Sequence, residues 1–232
     1  MNKLINIFLA IGILFSMTAQ GQKKPAGKPF TNTGFYDGIT MTSKESGDYG
    51  GISVYLTESD GDTYALVTVS EGMPLDPVLV PVKVSGKGMR TVEFTYNSPA
   101  YSRELKLKGT ITATRMGLDG YNGHDILKRK CANAYSNITV GKQSGDYGGM
   151  EVYLEDTGPS SWFALVTIAE GVLKRPVLVN AKVTGKDLDK IEFSLPTDNG
   201  ERKFAGTISR KTGKMTLKEG RTASVLKSKC YQ

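Results

Sequence analysis

The feature that most constrains this chain of 232 residues is a hexapeptide that occurs twice. Residues 46–51 read SGDYGG, and residues 144–149 repeat them 98 positions later (144 − 46). Matching segments follow both copies in the same order, at offsets from 97 (206 − 109) to 99 (230 − 131). A tandem repeat of this length predicts two homologous domains, since each copy carries the same hydrophobic positions.

The repeat and the local composition divide the chain into four segments. Residues 1–21 contain Lys3 and then an apolar run too short to span a bilayer, and they end in small residues, as signal peptides do. Residues 22–33 are rich in Lys, Pro and Gly and predict a flexible lead-in. Copy 1 covers residues 34–132 and copy 2 covers residues 133–232. We therefore expect an exported, periplasmic or extracellular protein that does not span a membrane.

Hydrophobic residues within each copy alternate with polar ones. Ile52, Val54 and Leu56 fall on one face of a strand, and Ser53 and Tyr55 fall on the other. Turn signals separate about eight such strands in each copy, and no window shows a sustained helical period. The pattern predicts an all-β protein made of two antiparallel meander domains.

Closure into a small β-barrel is the most direct way for eight short strands to avoid exposed edges. Pro81 removes one donor from the strand ladder, which is typical of an edge or a bulge and keeps a β-sandwich as the alternative. Gly109 and Gly206 interrupt inward-facing stripes and predict sharp bending or a close approach between backbones.

Two sets of residues resemble known families. The first strand carries an aromatic residue, Tyr36, and the last strand of copy 1 carries Arg129, which resembles the plan of calycins such as lipocalins and avidins. In those families an aromatic residue of the first strand packs against an Arg of the last strand. Copy 2 departs from this plan, because Ser228 stands in place of Arg129. Calycin resemblance implies a binding module. The repeated Glu-Gly, Pro-Val-Leu-Val and Leu-Lys-x-Lys segments also resemble a group of exported bacterial proteins with no assigned activity.

Charge and cysteine usage limit the possible functions. The net charge of +7 is interspersed along the chain, which indicates a solvated surface rather than a nucleic-acid site. The only cysteines, Cys131 and Cys230, occupy equivalent positions and could form a disulfide in an oxidising compartment or remain as two buried thiols. His124 is the single histidine, so the chain predicts neither a cysteine nucleophile paired with histidine nor a His-based metal site. We expect no cofactor.

Repeated carboxylates are the candidates for chemistry. Asp48 and Asp146, with Glu71 and Glu170, could supply the two acids of a hydrolase if they faced each other across a cleft. Each Asp also lies in a Gly-rich segment, where its side chain can hydrogen-bond to its own turn. The turn interpretation is favoured, and no catalytic residue is assigned.

Aromatic residues outside the inward stripes are the candidates for binding. We expect Tyr49 and Tyr147 in the repeated turns, together with Trp162, to contact a ligand or partner, along with Asp48 and Asp146. Tyr55 and Tyr153 are expected to pack across strands on an outer face. The expected function is that of an exported, non-catalytic protein that binds an unknown small ligand, glycan or protein. The alternatives are a carboxylate-dependent hydrolase and an inhibitory or structural envelope protein that acts through its loops.

Overall fold

A computed structural model describes residues 33–98, 103–158, 161–198 and 200–229. The predicted signal peptide and Cys230 lie outside these ranges. The described residues form eighteen β-strands and no helix, which confirms the all-β prediction. No helix of the described residues could therefore cross a membrane.

The first nine strands form one closed barrel with a short extra strand. They are β1 (Gly34–Asp37), β2 (Thr40–Met41), β3 (Tyr49–Ser59), β4 (Asp62–Pro74), β5 (Val78–Ser85), β6 (Thr91–Asn97), β7 (Glu104–Ile111), β8 (Arg115–Asp119) and β9 (His124–Lys130). Consecutive strands from β3 to β9 pair antiparallel, and β1 pairs with both β9 and β3. This double pairing closes eight strands into a ring, and β2 adds to β3 outside it.

The last nine strands repeat this arrangement. They are β10 (Ala134–Ser136), β11 (Thr139–Val140), β12 (Tyr147–Gly158), β13 (Ser161–Leu173), β14 (Val177–Thr184), β15 (Lys190–Thr197), β16 (Gly200–Ser209), β17 (Lys214–Glu219) and β18 (Thr222–Lys229). Strand β10 closes the second barrel by pairing with both β18 and β12, and β11 is the extra strand. The predicted pair of eight-stranded barrels is confirmed, and the β-sandwich alternative is excluded.

Side chains occupy the interior of both barrels. The inward-facing residues of β3 in barrel 1 and of β12 in barrel 2 are almost completely buried, as the alternation predicts. In barrel 2 a single hydrophobic cluster joins inward residues of every closing strand from β12 to β18, including Phe193 and Phe204, whose rings stack 5.1 Å apart. A barrel of eight strands is just wide enough for such packing.

Pro81 lies where the ladder between β5 and β6 has already opened. Strand β5 pairs with β6 only from Lys83 to Ser85, so Pro81 pairs on one side alone, with Tyr64 of β4. In barrel 2 the corresponding ladder stops at Ala181, next to Asn180. Because both ladders open within one residue of the same point, the proline occupies a position where no donor is needed.

The two interior glycines mark close backbone approaches, as predicted. A Cβ at Gly109 would lie 2.8 Å from the carbonyl oxygen of Gly117. A Cβ at Gly206 would collide with the carbonyl oxygen of Thr216.

Barrel 1 has the contact between first and last strands that the calycin resemblance implies. Tyr36 on β1 is fully buried and lies opposite Arg129 on β9. The Arg129 guanidinium lies 5.9 Å from the centre of the Tyr36 ring, and it donates a hydrogen bond to the carbonyl oxygen of Thr33 at 2.9 Å. Burial raises the pKa of Tyr36 to about 12, although the charge of Arg129 opposes this rise. The contact and the closed eight-stranded form are consistent with a calycin-like small barrel.

Candidate functional site

Equivalent residues of the two copies meet where the barrels touch. Tyr55 on β3 and Tyr153 on β12 stack with ring centres 3.9 Å apart and planes 5° apart. Leu66 and Leu165, also equivalent, belong to the same buried cluster. Like residues therefore face like residues, as in a two-fold symmetric dimer. Tyr55 and Tyr153 were expected to pack within an outer face, whereas they are buried between the barrels.

Two glutamates of copy 2 accept hydrogen bonds from the hydroxyl groups of these stacked tyrosines. Tyr55 donates to Glu151 at 2.9 Å, and Tyr153 donates to Glu155. Glu151 also pairs with Lys229, with the Nζ and Oε2 atoms 2.5 Å apart. Glu155 accepts a further hydrogen bond from Thr68 of barrel 1, at 2.8 Å. The hydrogen bonds from Tyr55 to Glu151 and from Thr68 to Glu155 join the two barrels, since a buried acceptor without its donor would cost about 1–3 kcal/mol.

A cleft of about 820 Å³ opens beside this contact and has walls from both barrels. We refer to it as the inter-barrel cleft. Barrel 1 contributes one wall, with the residues Phe35, Asp37, Ile39, Ser46, Gly47, Asp48, Tyr49, Ser53, Thr68, Gly72, Met73 and Pro74. Barrel 2 and the segment between the barrels contribute the other wall, with Cys131, Asn133, Tyr153, Leu154, Glu155, Asp156, Gly158 and Trp162. Its volume lies in the range of sites for small molecules, which often occur where two domains meet.

The first copy of the repeated hexapeptide forms the rim of the cleft. Its turn connects β2 to β3 and is closed by hydrogen bonds from the Thr42 amide to the Asp48 carbonyl and from the Gly47 amide to the Ser43 carbonyl. The Asp48 carboxylate accepts a hydrogen bond from the hydroxyl of Ser46. Residues 46–48 thus belong to a hairpin turn and residues 49–51 begin β3. The segment presents Asp48 and Tyr49 to the cleft, and Tyr49 is 40% exposed.

The second copy of the turn does not line the inter-barrel cleft. Asp146 and Tyr147 have the same backbone arrangement, with the Gly141 amide bonded to the Asp146 carbonyl at 2.8 Å. Tyr147 is 38% exposed, close to the value for Tyr49. The second turn is one residue shorter than the first, since residues 141–146 connect its strands where residues 42–48 connect those of copy 1, and its surroundings also differ.

The copies differ at several of the residues that line the cleft. At a constant offset, Phe35, Asp37 and Trp162 correspond to Ala134, Ser136 and Thr63. Glu155 corresponds to Thr57 at an offset of 98 (155 − 57), the offset that also relates Tyr153 to Tyr55. The approximate two-fold symmetry would otherwise create a second, equivalent cleft. Because these aromatic and acidic residues have small counterparts, only one cleft carries this set of side chains.

Trp162 contributes to two environments. It was expected outside the inward stripes, but it belongs to the core cluster of barrel 2 and is only 7% exposed. The expectation of an outward position is wrong, because Trp162 shares the parity of Ala164 and Val166 along β13. Part of the residue still lines the cleft, so it can contact a ligand there.

The repeated carboxylates are not assembled in one place. Glu71 lies near Tyr121, whose hydroxyl is 3.5 Å from it, and does not line the cleft. Glu170 pairs with Lys174 at 2.5 Å and Arg202 at 3.2 Å, and the hydrogen bond from Lys174 lowers its pKa. The hydrolase pairing of these residues with Asp48 or Asp146 has no support in this geometry.

Glu155 has the most perturbed carboxyl group of the cleft. Burial raises its pKa from 4.5 to about 7, and the hydrogen bonds from Tyr153 and Thr68 oppose this rise. The charges of Asp37 and Asp156 raise it further, which places both carboxylates close enough to act on Glu155. Asp37 is itself paired with Lys130, at 2.6 Å.

Nothing in the described part of the chain indicates a metal centre. The described residues contain no group of three or more His, Cys, Asp or Glu side chains that could hold a metal ion. His124 forms a contact of 2.7 Å with Asp119 on the exposed hairpin of β8 and β9.

Cys131 lines the inter-barrel cleft, and the described residues contain no free thiol. Cys230 lies outside the described residues, so its pairing with Cys131 stays the possibility that the sequence offers.

Sequence reasoning did not single out Phe35, Asp37, Glu155 or Asp156. One signal in the sequence points to three of them. Where the copies are otherwise similar, Phe35, Asp37 and Glu155 replace small or neutral residues of the other copy. A comparison of the copies for differences, in addition to similarities, identifies these positions.

Comparison with known protein families, with curated proteins and with solved structures gave no significant match to this chain.

Proposed function

We propose that this chain is an exported binding protein whose inter-barrel cleft holds one ligand. The observation that carries the proposal is the cleft itself. It combines aromatic residues of both barrels with polar groups at its walls, and its volume suits a small molecule or a short segment of a glycan or peptide. The barrel interiors are filled by side chains and leave the cleft as the better candidate.

The difference between the copies supports a single site. A protein with two equal sites would keep the same cleft residues in both copies. Here Phe35, Asp37 and Trp162 are present on one side of the symmetry only. We therefore expect a stoichiometry of one ligand per chain.

The two turn tyrosines provide a matched test. Tyr49→Ala removes a ring that lines the cleft, and Tyr147→Ala removes an equally exposed ring from the equivalent turn. Compounds that bind the wild-type chain are first found by thermal shift, and their affinities are then measured by calorimetry. We expect about tenfold weaker binding for Tyr49→Ala and unchanged binding for Tyr147→Ala. Equal losses in both variants, or no loss in either, would contradict binding in this cleft.

A carboxylate-dependent hydrolase is the second candidate, on one observation. Glu155, with its raised pKa, and Asp37, which is paired with Lys130, line the same cleft and could act as acid and nucleophile or base. If the wild type hydrolyses a glycan of a test panel, and both Asp37→Asn and Glu155→Gln lose this hydrolysis, the result would favour this candidate. Binding without turnover would favour the non-catalytic one.

A further inference from the structure

We infer that the inter-barrel cleft takes an organic cation, an ammonium or guanidinium group carried on an apolar body. The inference rests on the proposed function and adds the chemical class of the ligand. Three properties of the cleft carry it: its charge, the partners of its carboxylates, and its aromatic walls.

The charge of the cleft is opposite to that of the chain. Four acidic residues, Asp37, Asp48, Glu155 and Asp156, are among those that line it. The described residues in the lining include no Lys, Arg or His. The whole chain, in contrast, carries a net charge of +7. An anionic ligand would have to enter against this local field, whereas a cation would be attracted by it.

Two of these carboxylates have no cationic partner in the described part of the chain. Asp37 is paired with Lys130. The charge of Glu155 is reduced near neutral pH, since its pKa is about 7. Asp48 accepts a hydrogen bond from the Ser46 hydroxyl, and Asp156 accepts one from the Gly158 amide at 3.1 Å. Both carboxylates are therefore available to a cation at the cleft walls.

The aromatic residues of the cleft fit the remainder of such a ligand. Tyr49 is partly exposed at the rim, Phe35 is half-buried, and Trp162, although largely buried, also lines the cleft. Aromatic rings attract cations through their faces and also bury apolar carbon. Met73, 62% exposed on the same wall, adds a flexible apolar surface. A bare metal ion would not use these groups, and the carboxylates are too dispersed to hold one.

The test is a screen of three compound classes of similar size, namely organic cations, neutral sugars and alcohols, and organic anions. Each is measured by thermal shift against the wild type, Tyr49→Ala and Tyr147→Ala. We expect the compounds whose binding depends on Tyr49 to be cations. If the Tyr49-dependent compounds are neutral or anionic, the inference fails and the proposed function stands. If no compound depends on Tyr49, both fail.

A second pair of variants tests the charge directly, with spermidine and a capped peptide that contains one Lys as probes. Asp48→Asn keeps the shape of the turn and its acceptor for Ser46, and Asp146→Asn is the equivalent change away from the cleft. We expect Asp48→Asn to weaken binding of the cationic probe about fivefold to tenfold, and Asp146→Asn to leave it unchanged. Tighter binding of spermidine would indicate a free amine as the ligand, and tighter binding of the peptide would indicate a peptide side chain. An equal affinity for the Asp48→Asn and Asp146→Asn variants would overturn the assignment.

Discussion

Replacing Glu155 by Gln tests whether the contact between the barrels shifts the protonation of a buried carboxyl group. Burial raises the pKa of Glu155 from 4.5 to about 7 in the folded chain. The folded state therefore binds this proton more tightly than the unfolded state does. The stability that the protonated carboxyl contributes is fully present below the unfolded pKa and is lost as the pH rises through about 7. The difference between 4.5 and about 7 corresponds to roughly 3 kcal/mol.

The assay is urea unfolding of three proteins at several values between about pH 4 and pH 8. Relative to Glu155→Gln, the wild type should lose roughly 3 kcal/mol of unfolding free energy across this range. The amide has nearly the same shape, and it can still accept from Thr68 or Tyr153, whose hydroxyls can reorient. Glu192→Gln, which removes a carboxyl group at an exposed position, is the matched control for the change of Glu to Gln.

One result would refute this reasoning. If the wild type and Glu155→Gln change in parallel with pH, the carboxyl group does not titrate differently on folding. In that case the barrels do not desolvate it, and the cleft is wetter or more mobile at this point than its geometry indicates. A uniform loss of stability in the variant would then report only the changed hydrogen bonds.

Three further outcomes follow from the fold. Gly51→Ala should lower the unfolding free energy by more than about 3 kcal/mol, because φ is +120° and the new Cβ would meet a backbone carbonyl. The control Gly47→Ala has open space around the new Cβ and should cost about 1 kcal/mol. Thermal melts compare the two variants. Arg129→Met should cost about 2 kcal/mol in urea unfolding, since the guanidinium bonds two backbone carbonyls, and Lys128→Met on the same strand should change little. Alkylation of the unfolded chain should modify both cysteines only after reduction, and modification of Cys131 without reductant would contradict the predicted disulfide.

The pattern of the sequence was enough to predict the architecture, because the relevant signals are local. Alternation along β3 and β4 places Val54 and Val67 inside, and the Gly-rich segments before β3 and β12 form the predicted turns. The close approaches at Gly109 and Gly206 were also predicted, since only a missing side chain permits them. The site was predicted in part. Tyr49, Asp48 and Trp162 do line one cleft, but Tyr147 and Asp146 do not.

The missing part of the site depends on contacts between the barrels. The outward-facing residues of β3 have the pattern of a solvent-exposed face with one tyrosine. No residue pattern near β3 in the sequence indicates that a second barrel covers this face. Phe35 and Asp156 likewise belong to different barrels, so no spacing in the chain brings them together. The distance between two residues of different barrels depends on how the closed barrels dock and not on their separation in the sequence.

By itself, the sequence determined that the chain is a duplication, that each copy is a meander of alternating strands, and that the hexapeptide is a turn. Each of these depends on residues close in sequence or on the comparison of one copy with the other. Only the tertiary structure decided that the barrels join through Tyr55 and Tyr153 and that one of the two copies of the hexapeptide borders a cleft. The physical reason is that surface burial between closed domains depends on how their faces dock. The repeated turn is therefore structural in both copies, and its surroundings make only the first copy a candidate for binding.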